Sequence, residues 1–460
     1  MDKLKLTVVA ATLLLAGCVS LAPEYQAPEL PIPQQFSLSG NSLVPQNRGY
    51  QDSGWRTFFS DPQIQRLIDE ALRNNRDLRM ATLKVQEARA QYRITDADRY
   101  PQLNGASQAS YSGGIKGDSV TERQYQAGID LSFELDLFGK LKNLSEADRQ
   151  NFLASQEAQR AVHILLVATV AQNYFSLQLA DEQLNIARET LQNYQQSYAL
   201  VEQQLMTGSS SVLAVEQARG LIESTWAEMA AREGQLAQAK TALQLVLGSG
   251  QNLPAMPPGT TELHPVTLPA HLSSEILRQR PDLMEAEHQL MAAHANIGAA
   301  RAAFYPSISL TSELSTSSTD LTNLFSAGSG MWNFIPKIEV PIFNAGRNQA
   351  NLAVADVRQQ QSVVNYQQKI QTAFKQVADA LALRDSLEKQ MAAQQRYLSS
   401  LEITLQRARG LYSSGAVSYI EVLDAQRSLF STRQTLLDLQ YSRQVNEINL
   451  FNALGGGWTE

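Results

Sequence analysis

The chain contains a tandem repeat, and this feature constrains its fold more than any other. Identical or similar residues recur 205 positions later in the first part of the repeat and 207 positions later in the second part. The clearest pairs are Asp77-Leu78 with Asp282-Leu283, Tyr100-Pro101 with Tyr305-Pro306, Leu137-Phe138 with Ile342-Phe343, Gly208 with Gly415, and Val215 with Val422. Because the offset changes by only two residues over this span, we expect two copies of one folding unit.

Both copies have the same order of predicted elements. A helix ends before a proline, because proline removes a backbone donor and pushes the preceding residue out of the helical region. Two segments with period-2 alternation follow, then a long proline-free helix, a short turn and a last helix that ends at a glycine. The predicted ranges are 77–99, 102–113, 125–137, 143–206 and a last helix to Gly248 in the first copy, and 281–304, 307–316, 332–342, 347–412 and a last helix to Gly455 in the second.

The long helices predicted over 143–206 and 347–412 exceed what a globular core needs. A globular helix has on average about 11 to 12 residues. About 64 helical residues at roughly 1.5 Å each form a rod of about 100 Å. We therefore predict that these helices form a long bundle or tube.

The stretch YQAGIDLSFELDL, residues 125–137, alternates between apolar side chains and polar or small ones. As a strand, it would have one apolar face and one face that carries Asp130, Glu134 and Asp136. Membrane β-barrels show this alternation over about 9 to 11 residues per crossing, with the apolar side outside. A half-buried antiparallel strand would alternate in the same way, but the second copy repeats the pattern. We predict membrane strands whose acids face a lumen.

Four strands per chain cannot close a barrel, because every backbone group in lipid must be hydrogen-bonded and no strand edge can stay open. Two chains would supply eight strands, about the smallest closed bacterial barrel, and three would supply twelve. A water-filled lumen needs the larger ring, so we predict a trimer. The predicted fold class is mainly α with a membrane β-barrel, in which a twelve-stranded barrel is continued by a long α-helical barrel. The lumen acids could favour cations, although Lys140 and Lys337 weaken this preference.

The start of the chain has the form of a secretory signal peptide, with lysines ahead of an apolar run that is too short and wrongly flanked for a spanning helix. Residues 15–18, LAGC, resemble the bacterial lipobox, in which the cysteine becomes an acylated N-terminus. Cys18 is the only cysteine, so no intrachain disulfide can form, and a buried structural cysteine is the alternative. We predict a lipid on Cys18, no other cofactor, and sorting to the outer membrane because residue 19 is Val and not Asp.

The predicted domain division follows the repeat. Prolines after Cys18 prevent helix formation and predict an extended tether. No unbroken apolar run after the signal approaches the roughly 18 residues of a spanning helix, so a membrane crossing would use strands. The division is a signal peptide at 1–17, a lipidated tether at 18–52, a first repeat at 53–250 with strands in 102–137, a linker at 251–274, and a second repeat at 275–460 with strands in 307–342.

Charge and motif content argue against several function classes. The formal net charge of −7 gives no indication of a nucleic-acid partner. The absence of a nucleophile-base arrangement, a phosphate loop or a zinc spacing predicts that the chain is not an enzyme. Met284, His288 and Met291 share a helical face and suit Cu(I), but Met is a common filler of helix packing. The other histidines, including His163 and His294, have no ligand spacing, so we predict no metal site.

Several segments resemble the TolC-like outer-membrane factors of Gram-negative tripartite efflux pumps. The resemblance rests on the lipobox, the start APEYQAP, the duplicated unit and the run YIEVLDAQRSLFSTRQTLL at 419–437. It covers the whole mature chain. Runs such as NRDLRMATLKVQEARAQYR and GMWNFIPKIEVPIFNAGRNQANL are similar to the copper- and silver-exporting branch of this family.

The resemblance implies a passive homotrimeric channel in the outer membrane. The channel would carry Cu(I) or Ag(I) from the periplasm to the exterior, with a periplasmic adaptor and an inner-membrane pump of the resistance-nodulation-division class as its partners. One alternative is a channel for drugs or organic solvents on the same scaffold. A second alternative is a structural periplasmic lipoprotein without a pore.

The resemblance also assigns a periplasmic gate near the last helix-helix turn. It places constrictions at Ile420 and Asp424, which share a helical face, and Arg427 lies three residues after Asp424 as an ionic partner. Three symmetry-related aspartates near an axis would repel one another, which can make a switchable element. The alternative for Asp424 is a solvated acid on a helix face. Gly208 and Gly415 are expected to form the turns at the helix tips, where the adaptor would dock.

Overall fold

The structure is a computed structural model that describes residues 20–29, 31–36, 54–115, 122–250, 263 and 272–456. Cys18, the signal segment and most of the 251–274 linker lie outside these residues. The chain divides into two compact units. The described residues of the sheet unit fall within Met1–Leu30, Leu83–Glu157 and Met284–Lys369. Those of the helical unit fall within Pro31–Thr82, Ala158–Leu283 and Ile370–Glu460.

The described elements repeat in the order expected from the sequence. A helix, a strand pair, a long helix and a last helix occur twice, which confirms the duplicated unit and the four strands per chain. In the first copy the elements are α1 Trp55–Phe58, α2 Pro62–Asn74, α3 Arg76–Ala97, β1 Gln102–Ser112, β2 Glu122–Leu135, α4 Lys140–Met206 and α5 Val212–Leu247. In the second copy they are a 3₁₀ turn Ser274–Gln279, α6 Pro281–Ala302, β3 Ser307–Ser318, a 3₁₀ turn Leu321–Asn323, β4 Gly330–Glu339, α7 Arg347–Ser413 and α8 Tyr419–Ala453.

The helices α3 and α6 end in the same way, two residues earlier than predicted. The backbone N–H of Tyr100 donates to the Ala97 carbonyl at 3.0 Å, and that of Tyr305 donates to the Ala302 carbonyl at 3.0 Å. These are tight i→i+3 turns, which commonly close a helix end. They lead each chain segment directly into its first strand.

The four strands form one antiparallel sheet in the order β1-β2-β3-β4. The two central strands, β2 and β3, approach each other closely at Gly128, which pairs with Ser315 of β3. A Cβ atom at Gly128 would lie 2.5 Å from the Ser315 Cβ and 2.7 Å from the Leu314 carbonyl oxygen. This glycine is therefore required for the close approach of β2 and β3.

The register separates the sheet into an apolar and a polar face. Leu131 pairs with Leu103 on one side and with Ser312 on the other, and Ser312 pairs with Phe334. Alternation along each strand brings further apolar side chains to this face. They include Ile129, Phe133, Leu310, Leu314, Trp332 and Ile338. Trp332 is 80% exposed and Ile338 is 65% exposed, so this face has no cover within the described chain. An exposed apolar face of this kind is typical of strands that contact lipid.

The two long helices, α4 and α7, each contain 67 residues. By length and composition, α4 has one 18-residue window that could cross a membrane, and it is the only such helix among the described residues. Of that window, 56% is buried inside the chain, and a core helix of a soluble protein meets the same test. The apolar runs of the sequence do not predict this window, because the longest of them, residues 164–170, is soon followed by Gln172 and Asn173.

Equivalent positions of the two copies close the C-terminal ends of the last helices. The Asn75 side-chain amide donates to the Val246 carbonyl at 2.9 Å. In the second copy, 205 positions later, the buried Arg280 guanidinium donates to the Ala453 carbonyl at 2.7 Å. Both contacts satisfy a carbonyl that the helix leaves without an internal partner. Both copies have thus kept a side-chain hydrogen bond to the end of the last helix at this position, although the residue is Asn in the first copy and Arg in the second.

The residues just after the predicted lipidation site lie along the sheet unit as a strap, defined here as residues 20–29. The Ser20 hydroxyl donates to Asn143 Oδ1 at 2.8 Å, and Arg301 donates to the Leu21 carbonyl at 3.3 Å. A Cβ atom at Gly298 would lie 2.8 Å from the Ala22 Cβ. Because Gly298 has no side chain, the strap can pack closely against α6 at this point.

Candidate channel gate

The helix tips of the two copies have the same turn geometry. Gly208 has φ 77° and Gly415 has φ 75°. The N–H of Ser209 donates to the Gln204 carbonyl at 2.8 Å, and the N–H of Ala416 donates to the Leu411 carbonyl at 2.9 Å. These six-to-one bonds with a left-handed glycine define Schellman motifs. The structure thus places both predicted turn glycines at helix-helix turns.

A single apolar cluster, called the tip cluster here, holds the four helices together near these turns. Its members come from α4, α5, α7 and α8 of the helical unit. They are Val201, Ala214, Val215, Ala218, Leu405, Ala408, Tyr419, Val422, Leu423 and Ala425. Small side chains make up much of the cluster, so the helix backbones can approach closely.

The predicted gate residues lie on the face of α8 that points away from the tip cluster. Ile420 is 43% exposed, and the side chains of Asp424 and Arg427 are 59% and 55% exposed. Arg427 donates to the Asp424 carboxylate, as the i, i+3 spacing predicted. An exposed pair of this kind contributes about 0 to 1 kcal/mol to stability. The three residues are therefore brought together on a surface that the described chain leaves open.

A hydrogen bond that the sequence analysis missed joins the two tips. The Tyr412 hydroxyl, at the end of α7, donates to Gln204 Oε1, near the end of α4, at 2.7 Å. The Tyr412 ring lies 5.1 Å from the ring of Tyr419, whose pKa is raised by burial. The contact links the turn of one copy to the turn of the other, in addition to the apolar cluster.

A buried tyrosine lies within the electrostatic reach of Arg427. Burial raises the pKa of Tyr194 to about 12, and the positive charge of Arg427 acts in the opposite direction. Tyr194 therefore stays neutral at any physiological pH. The only formal charges contributed by the predicted gate residues are those of the Asp424–Arg427 pair.

The predicted lumen acids have different surroundings. Asp130 accepts a hydrogen bond from Asn104 at 3.1 Å and faces Glu313 across the strand pair, while Glu134 forms an ion pair with Lys140 at 3.3 Å. Asp136 differs from the prediction, because it lies one residue beyond β2. Its carboxylate accepts the Lys142 backbone N–H at 2.7 Å and so caps the start of α4.

Glu313 is a polar-face acid that the sequence analysis did not name. It accepts a hydrogen bond from Gln126 at 2.7 Å. Two acids directly opposite each other are unfavourable unless they are hydrogen-bonded or hydrated. Asn104 and Gln126 provide such donors on either side of the pair.

The stripe of possible metal ligands on α6, Met284, His288 and Met291, contains one imidazole, and a polar side chain of the neighbouring helix contacts it. The described residues contain no group of three or more His, Cys, Asp or Glu side chains that could hold a metal ion. The His288 Nδ1 atom lies 2.7 Å from Gln150 Oε1, so this nitrogen already has a hydrogen-bond partner. Burial lowers the pKa of His288, with Glu157 and Glu287 acting in the opposite direction.

A buried ion pair between α7 and α8 is a second feature that the sequence analysis missed. Arg384 donates to both carboxylate oxygens of Glu447, with side chains only 8% and 5% exposed. At the equivalent positions of the first copy the residues are Leu177 and Lys240. Tyr412 likewise replaces Leu205 of the first copy. Both contacts therefore use residues at which the second copy differs from the first. A comparison of the two copies was the sequence signal that could have indicated these contacts.

The duplicated unit, the two-faced sheet and the long paired helices together define a channel-type membrane protein. The chain belongs to the family described as outer membrane efflux protein, whose model matches residues 67–249 and 272–456. It is an outer-membrane protein, and the two matched segments correspond to the two copies of the repeat.

Individual relatives match over their full length. The chain is 71% identical to the probable outer membrane lipoprotein SilC of Salmonella typhimurium, with 100% of both chains covered. It is 69% identical to the cation efflux system protein CusC of Escherichia coli K12, with 99% of this chain and 100% of the relative covered. A crystal structure of CusC, solved to follow folding and transmembrane channel formation, matches with a TM-score of 0.89 at 69% identity. That match covers 95% of this chain and 100% of the solved one.

Proposed function

We propose that this chain is the outer-membrane channel of a tripartite resistance-nodulation-division pump that exports Cu(I) and Ag(I) from the periplasm to the exterior. The observation that supports this most is the identity of 69% and 71%, over essentially the whole chain, to a cation efflux protein and to SilC. In this role the chain is a passive conduit and not an enzyme. Metal selection would then occur in the inner-membrane pump and the adaptor.

Three chains would share one twelve-stranded barrel, and their long helices would continue it as an α-helical barrel. The proposal is supported by β1 and β4, which are edge strands in the described sheet. An open strand edge is not tolerated in lipid, so these edges would pair between chains. The polar face, with Asp130 and Glu134, would then line the lumen.

The lipid on Cys18 would anchor each chain beside the barrel. The strap supports this proposal, because Ser20 contacts Asn143 in the first turn of α4, close to where β2 ends. Cys18 precedes Ser20 by two residues, so its acyl chains would start near the membrane surface. Replacing Cys18 with Ser should abolish labelling by a radioactive or clickable fatty acid. Persistent labelling would refute the lipidation site.

The periplasmic end would close at Ile420 and Asp424, with Arg427 pairing to Asp424. The turns at Gly208 and Gly415 would dock onto the adaptor. Support for the gate comes from the outward position of its three side chains on α8, where copies related by a threefold axis could meet. Opening would need these helices to separate, with loss of the contacts that hold the tips.

Metal tolerance of a strain that lacks the gene tests the proposed substrate. We expect lost tolerance to silver and copper, restored by the gene, with unchanged tolerance to dyes, solvents and antibiotics. Lost tolerance to the organic compounds alone would favour the drug or solvent channel. A detergent-extracted chain without a heat-resistant β-sheet signal in circular dichroism would instead indicate a scaffold without a pore.

A further inference from the structure

A cavity of about 460 Å³ lies between the strap and the helices of the sheet unit. Ser20 and Tyr25 of the strap line it, together with residues of α3, α4 and α6. Its volume falls in the range of cavities that bind small ligands. The charges and hydrogen-bond donors of the lining determine which kind of ligand fits.

The lining of the cavity has an excess of positive charge. Three cations line it, and Glu146 is the only acid among the described residues of the lining. The cations are Arg99, Lys142 and Arg149. Arg99 pairs with Asp96 at 2.8 Å, and Arg149 pairs with Glu146 at 3.0 Å. Lys142 has no carboxylate partner in the described part of the chain, so its charge is the excess.

The two paired arginines have further donors. In both ion pairs only the Nη1 atom of the guanidinium donates to the carboxylate. A guanidinium has five N–H donors and an ammonium has three. The Nε and Nη2 atoms of Arg99 and Arg149 can therefore donate to a ligand in the cavity while both ion pairs stay intact. Guanidinium and ammonium groups are the usual partners of phosphate oxygens.

His294 supplies a neutral donor. The Gln359 side-chain amide donates to the Nε2 atom of His294 at 3.1 Å. Burial lowers the pKa of His294, so the imidazole is neutral and its single proton lies on Nδ1. This Nδ1 atom is buried and has no hydrogen-bond partner among the residues that the structure describes. A buried donor without an acceptor is unfavourable, and a ligand oxygen would satisfy it.

Asn143 supplies a second donor that the fold does not use. Its side chain lines the cavity and is 4% exposed. The Oδ1 atom accepts a hydrogen bond from the Ser20 hydroxyl at 2.8 Å, but the Nδ2 atom has no partner within the described chain. The available groups are thus cations and N–H donors. A ligand that satisfies them carries negatively charged oxygens.

The position of the cavity indicates which anion is at hand. Arg99 lies three residues before the start of β1, and Lys142 lies seven residues after the end of β2. In an outer-membrane protein these strand ends approach the polar headgroup layer of the bilayer. Basic pockets beside membrane spans bind the anionic headgroups of lipids.

We infer that the cavity beneath the strap binds a phosphate group. Lys142 and the two arginines neutralise its charge, and His294 and Asn143 donate to its oxygens. A phospholipid headgroup and free inorganic phosphate offer the same oxygens. The site contains none of the predicted gate or lumen residues, so it goes beyond the proposed function and does not depend on which ion the channel carries.

Two binding measurements on the purified full-length mature protein in a phosphate-free detergent test the site and separate the two sources. Equilibrium dialysis against ³²P-labelled orthophosphate measures the free ion. Native mass spectrometry counts bound short-chain phosphatidylglycerol per chain, with short-chain diacylglycerol as the control that lacks the phosphate. Tighter binding of phosphatidylglycerol than of orthophosphate identifies a lipid site, and the reverse order identifies a site for the free ion. Binding of neither probe, or equal binding of phosphatidylglycerol and diacylglycerol, would overturn the inference.

Charge substitutions show whether the bound phosphate lies in this cavity. Lys142→Gln should weaken binding at least about tenfold, because it removes a charge-assisted hydrogen bond. Lys84→Gln is the matched control, since Lys84 is exposed on α3 and does not line the cavity. Lys142 is also exposed, so neither change disturbs the core. Equal losses in the two variants would mean general attraction to a basic surface and would overturn the site.

Substitutions of His294 test the buried donor. His294→Leu removes the Nδ1 donor and should weaken binding about tenfold. His294→Asn keeps an N–H donor close to the same place and should recover part of that loss. Circular dichroism of each variant separates lost binding from lost folding. Folded variants that both bind as tightly as the parent would contradict the proposed arrangement of donors.

Discussion

Replacing Tyr412 with Phe should shift the proposed channel toward its open state. The change removes the hydroxyl that donates to Gln204 at 2.7 Å and keeps the ring that contacts Tyr419. A hydrogen bond of this type contributes about 1 kcal/mol net, or about a fivefold change in an equilibrium constant. If three chains open together, three lost bonds amount to about 3 kcal/mol, which is roughly a 150-fold shift toward the open form.

Single-channel recording in planar bilayers measures this shift as the fraction of time spent in the high-conductance state. Tyr397→Phe is the matched control, because Tyr397 lies on the same helix, is 51% exposed, and has no hydroxyl hydrogen bond among the described residues. We expect a large rise in open time for Tyr412→Phe and none for Tyr397→Phe. Equal behaviour of the two variants would refute the conclusion that this bond holds the tips closed.

Three further perturbations follow from the structure. Asp424→Ala should raise single-channel conductance while changing stability by less than about 1 kcal/mol, because its ion pair is exposed. Unchanged conductance would remove Asp424 from the gate. Gly208→Ala should destabilise the tip by about 1 to 2 kcal/mol, since φ there is 77°. Gly220→Ala, inside α5 with open space around it, should stabilise by up to about 1 kcal/mol, and thermal unfolding compares the two. Arg384→Met should cost about 3 to 5 kcal/mol by leaving Glu447 buried without its guanidinium, and Arg384→Met with Glu447→Met should recover part of that loss in denaturant unfolding.

Most of the fold could be predicted from local sequence signals. Proline, glycine and period-2 alternation gave the starts of β1, β3 and α7 to the residue, at Gln102, Ser307 and Arg347. The end of β2 at Leu135 was missed by two residues, because Asp136 continues the alternation but caps the next helix. Alternation cannot separate a strand residue from a cap when both are polar.

The candidate site was less predictable, because its contacts join residues that are far apart in the chain. The resemblance implied the pairing of Asp424 with Arg427, and the spacing of three residues agrees with helix geometry. The Tyr412–Gln204 bond spans 208 positions, and the Arg384–Glu447 pair depends on how α7 lies against α8. Helix periodicity gives the face on which a residue lies, but it does not give the partner on the facing helix.

Cross-linking between the two edge strands most directly tests whether three chains share one barrel. Ala106 of β1 and Asn333 of β4 lie on the polar face of the sheet. One cysteine replaces Ala106, and a second replaces Met331, Asn333 or Ile335 in turn. In a shared barrel, one of these pairs would meet between neighbouring chains. The account predicts that oxidation of the membrane-inserted protein gives disulfide-linked dimers and trimers, with no larger species. A ladder that stops at dimers, one that extends beyond trimers, or no interchain link across the whole scan would contradict it.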